Sequence, residues 1–142
     1  MMTVREAVIG DAPAINELSR CLGYAALNED VLMLNFGLIL AASSDKLWVC
    51  EQEKKIVGWI QVFSAYRVAS RPTIEIGGLV VDRASRRQGL GRKLVAQARQ
   101  WAEEQNRSLR VRCNTRREDT HKFYESVGFV LAKSQNVFEF RC

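Results

Sequence analysis

Apolar residues recur along this chain with two periods, and each change of period marks a boundary between elements. The stretch "TVREAV" near the N-terminus mixes polar and apolar positions as a short strand does. Ala14, Ile15, Leu18 and Leu22 then follow at helical spacing. Asp11 stands ready to cap this helix, Pro13 falls in its first turn, and Gly23 closes it. Residues 28–42, "NEDVLMLNFGLILAA", carry apolar side chains on most faces, which predicts a well-buried second helix or helix pair. The period then shortens. "KLWVCEQEKKIVGWIQVFSAY" holds two β-rich runs around the polar turn Glu53, Lys54 and Lys55, the pattern of an antiparallel hairpin. "PTIEIGGLVVD" reads as a further strand interrupted by Gly77 and Gly78, a pair that marks a bulge or a close approach to the backbone.

The helical period returns after residue 89. Leu90, Leu94, Ala98 and Trp101 form one stripe, with Val95 and Ala102 beside it. "SLRVRCN" is a strand. Thr115 with Glu118 three residues later has the form of a capping box, Thr120, Phe123, Tyr124 and Val127 make the stripe that follows, and Gly128 ends it. "FVLA" and "NVFEF" predict two closing strands. The order β-α-α-β-β-β-α-β-α-β-β implies an α/β fold, a mixed sheet with helices packed on it. At 142 residues the chain is expected to be one domain, 1–142, with a core of its own.

Composition narrows the function. With 47% hydrophobic and 26% charged residues and two prolines, the chain has neither the low hydrophobicity nor the low complexity of a disordered protein. No apolar run approaches the roughly 20 residues that span a bilayer, and "MMTVREAVIGD" lacks the apolar core of a secretory leader. A cytoplasmic protein without a membrane partner is therefore expected. Cys21, Cys50, Cys113 and Cys142 are far apart and His121 is the only histidine, so no zinc set is expected. The thiols are expected reduced, three packed as small apolar residues and one at the terminus. Charge is uneven: residues 82–122 carry twelve Arg or Lys against five acids, whereas the remainder has nine against eleven. A basic half suggests a polyanion. Nucleic acid fits poorly, because the only aromatic among residues 82–117 is Trp101, which lies on an apolar helix stripe rather than on a stacking platform.

The basic cluster sits where a strand hands over to a helix, in "VVDRASRRQGLGRKLVAQ". A glycine-rich turn entering a helix presents backbone N–H groups at the positive end of the helix dipole. Gly89 and Gly91 remove the Cβ atoms that would hold a phosphate away, and Arg86, Arg87 and Arg92 can add charge-assisted hydrogen bonds. A dinucleotide fingerprint would need glycine at position 94, which is Leu94, and a Walker loop would need Gly-Lys-Ser/Thr.

Arg86, Gly89 and Gly91 match the Arg/Gln-x-x-Gly-x-Gly/Ala loop of the GNAT family, the acyl-CoA-dependent N-acetyltransferases, which this chain resembles. Tyr124, four residues before Gly128 and Phe129, matches the family's C-terminal motif, and the element order matches over nearly the whole length. The resemblance implies a single-domain GNAT-like fold, with a mixed central sheet, a splayed central strand pair and helices on both faces. It implies acetyl-CoA as donor. The backbone of Leu79, Val80 and Val81 would pair with the pantetheine arm, and the amides across Arg87, Gln88, Gly89, Leu90, Gly91 and Arg92 would take the pyrophosphate. Where many relatives carry an asparagine this chain has Arg117, and Asn114 is the candidate substitute. Thr120 stands where a smaller residue is usual.

For catalysis the resemblance implies Tyr124 as general acid toward the leaving thiolate; a half-buried core tyrosine is the competing reading. Glu75, eleven residues before Arg86, stands in the register of a catalytic glutamate, although between Ile74 and Ile76 it also alternates like any outward strand residue. His121 is a weaker candidate for the base. The acceptor would be a primary amine of a small molecule or peptide, and Glu29, Asp30, Glu75 and Glu139 are compatible with a cationic one. A non-catalytic acyl-CoA-binding regulatory module of the same fold is the alternative. A homodimer is open, since C-terminal strands of such folds pair or exchange.

Overall fold

The computed structural model describes residues 2–21, 23–24, 27–86, 88–113 and 115–141. They divide into two compact units, Met1–Val111 and Arg112–Cys142.

The first unit is a five-stranded sheet in the order β1 (Met2–Glu6), β2 (Asp45–Gln52), β3 (Lys55–Ala65), β4 (Thr73–Val81), β5 (Leu109–Val111). The first three pairings are antiparallel, and β4–β5 is parallel. A parallel pair requires a crossover. Here it is α3 (Leu90–Glu104), while α1 (Ala12–Cys21) and α2 (Glu29–Ala41) lie between β1 and β2 in the chain. The hairpin turn at Glu53 and Lys54 takes left-handed backbone at both residues, as the twist of tightly linked strands favours.

Both faces of β2 are covered. Leu47 and Val49 join Ala12, Ile15, Leu32 and Phe36 of α1 and α2 in one apolar cluster. On the other side Trp48 meets Trp101 of α3 edge-on, their rings 6.2 Å apart. Leu90, Leu94, Val95, Ala98 and Ala102 of α3 are buried, as their spacing predicts. Gly58 of β3 lets α3 come close, since a Cβ there would lie 3.1 Å from the Leu94 side chain. Asp11 does not cap α1 directly. Its buried carboxylate accepts the Val8 N–H at 2.8 Å and a forked pair from Arg5 at 2.8 and 3.0 Å, bracing the turn before α1 against β1. That guanidinium holds the Asp11 carboxyl below the usual carboxylate range.

Gly77 and Gly78 occupy the predicted bulge. Gln61 of β3 pairs with Gly78 and the adjacent Val62 with Ile76, so Gly77 is the inserted residue. A Cβ on Gly78 would lie 2.7 Å from the Trp59 ring, and one on Gly77 would lie 2.8 Å from Gln61 Oε1. Trp59 is fixed from the other side, where its indole N–H donates to Ser19 Oγ of α1 at 3.0 Å. Beyond the bulge β4 loses one neighbour. Its ladder with β5 consists of Ile74 with Leu109, Glu75 with Arg110 and Ile76 with Val111, and stops there, whereas its ladder with β3 continues to Val81.

Four expectations are corrected. In α2 only Leu32 and Phe36 are buried, while Leu34 and Leu38 are each 61% exposed. An apolar composition on all faces is therefore not matched by burial on all faces. Cys21 is exposed, with its thiol 3.7 Å from Glu17 Oε1, rather than packed; Cys50 is buried and Cys113 half-buried, and burial pushes both of those thiols up. Cys142 lies outside the described residues. In the second unit, α4 (Glu118–Ser126) starts at Glu118 with Arg117 at its cap position and no side-chain cap bond, so Thr115 sits a turn too early for a capping box. Finally, residues 129–141 form no strand: Phe138 and Phe140 are 92% and 94% exposed, and no ladder partner faces them among the described residues.

Two measurements check this packing. Adding a methyl beside the Trp59 ring in Gly78→Ala should cost about 1–3 kcal/mol in urea unfolding. The same change in a Trp59→Leu background should cost clearly less, and equal costs would mean the ring is not the obstacle. Leu94→Ala should lose about 2–5 kcal/mol, whereas Phe138→Ala should lose under about 0.5 kcal/mol. A core-sized loss at Phe138 would show that residues 129–141 are buried against a partner in solution.

Candidate active site

The strand-to-helix junction is built from ordinary local devices. Asp82 follows β4; its N–H donates to Val57 O at 2.8 Å, and its carboxylate accepts the Ala84 N–H at 3.3 Å, starting a tight turn over Arg83–Ser85. Arg86 is exposed beyond this turn, and Gln88 Oε1 accepts from Gln52 Nε2 at 2.9 Å, tying the loop to the end of β2. Gly89 then adopts φ +76°, a left-handed conformation that disfavours any side chain, and a Cβ placed there would meet nothing within 4 Å. The approach to the helix start is thus open. The first bond of α3 runs from Lys93 N–H to Gly89 O at 3.0 Å, so the helix itself supplies no acceptor for the amides of Leu90 and Gly91. Leu90 is buried and anchors the turn, while Arg92 is exposed beside it. Arg87 lies outside the described residues.

Leu79, Val80 and Val81 precede this loop on the part of β4 that pairs with β3 alone among the described strands. Val80 is buried, and the other two are half-buried. Among the described residues no strand pairs with this stretch on the β5 side. Such an edge can take an extended, hydrogen-bonding chain.

Glu75 lies on the paired part of β4, before the bulge. Ile74, Glu75 and Ile76 are all buried, so Glu75 is not the solvent-facing residue that simple alternation allows; it is 4% exposed. A carboxylate so buried needs donors or a cation. Arg67 Nη2 approaches its Oε2 at 3.5 Å, from a side chain that is itself half-exposed. Two residues earlier on the same strand, Thr73 Oγ1 is buried with no hydrogen-bond partner. Nearby, the Arg107 guanidinium lies 5.2 Å above the centre of the Tyr66 ring and donates to Ser64 Oγ at 3.1 Å. Its hydrogen bond and charge hold the Tyr66 phenol below its ordinary range. Sequence reasoning singled out neither Thr73 nor Arg107. Arg107 precedes β5 and reaches Tyr66 only through the parallel crossover, a link that no local pattern records.

In the second unit Tyr124 is buried on α4, its ring edge-on to Phe123 at 5.1 Å and to Phe129 at 5.3 Å. Phe129 N–H donates to Tyr124 O at 3.0 Å across the left-handed Gly128, which turns the chain back over the helix end. His121 is half-buried one turn earlier, Arg117 is exposed, and Asn114 lies outside the described residues. Glu29, Asp30 and Glu139 are exposed; Asp30 N–H is taken up by the Asn28 cap at 2.8 Å, and Glu139 pairs with Arg141 at 3.3 Å. No group of three His, Cys, Asp or Glu residues among the described residues is arranged to hold a metal ion, and no helix among them is long and apolar enough to cross a membrane.

Comparison with known proteins sets this geometry in a family. The structure superposes on aminoglycoside 6'-N-acetyltransferase AAC(6')-Ih from Acinetobacter baumannii with a TM-score of 0.85 at 16% identity, covering 100% of this chain and 99% of that one. It superposes on AAC(6')-Iy, solved with the bisubstrate analogue CoA-S-monomethyl-acetylneamine, with a TM-score of 0.87 at 16% identity, covering 100% and 99%. A protein named a transcriptional regulator, from Bacillus halodurans C-125, is similar at 24% identity with a TM-score of 0.87, covering 99% and 100%. No curated protein matches the chain in sequence. At these identities the structures share the fold, a mixed five-stranded sheet with helices. The family model described as "Acetyltransferase (GNAT) family" matches residues 13–129, most of the chain. By that match the chain belongs to the GNAT acetyltransferase family.

Proposed function

We propose that this protein is an acetyl-CoA-dependent N-acetyltransferase acting on a primary amine of a small molecule or peptide. The observation that carries the reading is the junction of β4 and α3: a strand whose parallel ladder stops at Ile76 leads into a helix that starts on a left-handed glycine with open space above it. The donor supplies the activated acetyl thioester. In this reading the backbone of Leu79, Val80 and Val81 holds the pantetheine arm as it would an added strand. The amides from Gln88 to Arg92 take the pyrophosphate, with the Arg86 and Arg92 side chains adding charge. Arg87 and Asn114 belong to the same proposal, although they lie outside the described residues. The CoA-bearing neighbour and the family match support this assignment of the donor.

Attack on the thioester requires a neutral amine, so a base must take the ammonium proton, and the departing sulfur must receive one. We assign the first role to Glu75, a buried carboxylate that the half-exposed Arg67 guanidinium approaches at 3.5 Å. The second falls to the Tyr124 phenol, whose ring is held by Phe123 and Phe129. A second reading, an acyl-CoA-binding regulatory module without turnover, is favoured by the similarity to the protein named a transcriptional regulator. Release of CoA from acetyl-CoA in the presence of amines decides between the two.

Gly89→Val forces a branched side chain into left-handed backbone and into the open approach to the helix start. Acetyl-CoA affinity measured by calorimetry should fall at least tenfold, about 1.4 kcal/mol. Unchanged affinity in a folded variant would remove the loop from the donor site. Tyr124→Phe keeps the ring packing and removes only the hydroxyl. Stability should change by no more than about 1 kcal/mol, while turnover should drop by about 10² to 10⁴. Wild-type turnover in this variant would return Tyr124 to a purely packing role.

A further inference from the structure

We infer that Gln61 orients the acceptor amine: its side-chain amide lies over the β4 bulge, between the proposed base and the proposed donor stretch, and accepts a hydrogen bond from the attacking nitrogen. The inference rests on the proposed reading that Glu75 takes the amine's proton and that Leu79, Val80 and Val81 hold the donor, and it adds a residue to that site. Register places the groups on one face of the sheet. Phe63 pairs with Glu75 and Gln61 with Gly78, with Gly77 inserted on β4. Residues directly opposite each other in an antiparallel pair project from the same face, and alternate residues of one strand share a face. Trp59, Gln61, Phe63 and Glu75 therefore stand together, and the bond from the Trp59 indole to Ser19 Oγ at 3.0 Å marks this as the side facing α1. Both glycines turn the same way. A Cβ on Gly77 would lie 2.8 Å from Gln61 Oε1 and 3.3 Å from the Phe63 ring, and one on Gly78 would lie 2.7 Å from the Trp59 ring. The Gln61 amide thus rests on bare β4 backbone at Gly77, with Glu75 two residues before it and Leu79 two residues after.

The amide is also available. Gly77 is exposed, although Ile76 and Val80 of the same strand are buried, so the sheet opens to solvent at this point. Gln61 is half-buried, and no hydrogen bond joins its amide to another group among the described residues. Filling the volume over Gly77 does not call for an amide, since a Met or Leu side chain would occupy it as well. The flanking Trp59 and Phe63 rings crowd the same two glycines, so the Gln61 side chain has little freedom left to lose when it meets a ligand. A carboxamide neither gains nor loses a proton near neutral pH, which makes Gln61 an orienting group and leaves deprotonation to Glu75. An ammonium that has given one proton to Glu75 keeps two N–H groups and one lone pair. Bonding one N–H to the Gln61 carbonyl oxygen fixes rotation about the C–N bond and turns the lone pair toward a thioester held beside Leu79.

Two CoA conjugates that differ in one group test this directly. In the first, the CoA sulfur carries CH2–C(=O)–NH–propyl, with an N–H at the place of the attacking nitrogen; in the second, an ester oxygen replaces that N–H. Titrated into the full chain by calorimetry, the amide conjugate should bind about threefold or more tightly than the ester, as one net hydrogen bond provides. Gln61→Met keeps the side chain's length and removes the amide. It should bring the ratio to near one and leave acetyl-CoA affinity unchanged, while Gln100→Met, on the exposed side of α3, should keep the ratio of the wild type. Gln61→Leu is the second variant, and acetyl-CoA binding reports that either one is folded. Equal binding of the two conjugates, or a ratio that survives Gln61→Met, would overturn the inference. So would a wild-type protein that binds acetyl-CoA but neither conjugate, because the bulge would then have no room for the acceptor nitrogen. Failure to bind acetyl-CoA at all would instead remove the donor site, and the role of Gln61 with it. Because binding is read without turnover, an amide preference that depends on Gln61 in a protein releasing no CoA would sink the catalytic reading and leave the contact standing.

Discussion

The structure turns on the close approach of β3 side chains to two glycines on β4. Trp59 and Gln61 occupy the volume that a Cβ on Gly78 or Gly77 would need, and the extra residue at Gly77 offsets the register of the pair. A bulge increases local twist and bends the strand that carries it. On β4 the bulge falls at the point where the parallel ladder with β5 ends. One steric contact thus separates two stretches of a single strand: Thr73 to Ile76, where Glu75 is buried between paired strands, and Leu79 to Val81, which pairs with β3 alone among the described strands. The proposed acceptor chemistry belongs to the first stretch and the proposed donor contacts to the second. Trp59 is itself held by Ser19 of α1, so the position of the N-terminal helix is transmitted to the middle of the sheet.

The helix after β4 answers a different constraint. A chain leaving a strand must reverse within a few residues to lay α3 across the sheet, and the turn over Arg83–Ser85 followed by left-handed Gly89 does so. Burial of Leu90 and the rest of the α3 stripe fixes where the helix begins, and with it the direction in which its first amides face. Arginines flanking such a helix start are not needed to stabilise it; basic residues favour the opposite end of a helix dipole. In the proposed reading, their placement at Arg86 and Arg92 serves an anion at the helix start.

Where pattern and structure part, the reason is the number of surfaces available for burial. Residues 29–41 are apolar all round, but α1 and β2 cover only the side that carries Leu32 and Phe36. Residues 129–141 alternate as strands do, yet a strand exists only where a neighbour accepts its hydrogen bonds, and none does so among the described residues. The capping box at Thr115 and Glu118 failed for a local reason, because the helix begins at Glu118 itself.

The sequence by itself determined the helices and strands of the first unit, the hairpin turn, the bulge at Gly77 and Gly78, and the glycine that starts α3. Each of these follows from short-range periodicity or from a backbone conformation that one residue type tolerates best. The family was legible as well, in Arg86, Gly89, Gly91 and Tyr124. Only the tertiary structure decided that Glu75 is buried rather than outward, because its burial depends on the far face of β4 being covered and on β5 arriving in parallel beside it. It also decided that Arg107 stacks on Tyr66 and that the Thr73 hydroxyl is left without a partner. Such contacts join residues dozens of positions apart through a crossover, and a local pattern holds no information about which distant side chain fills the space opposite.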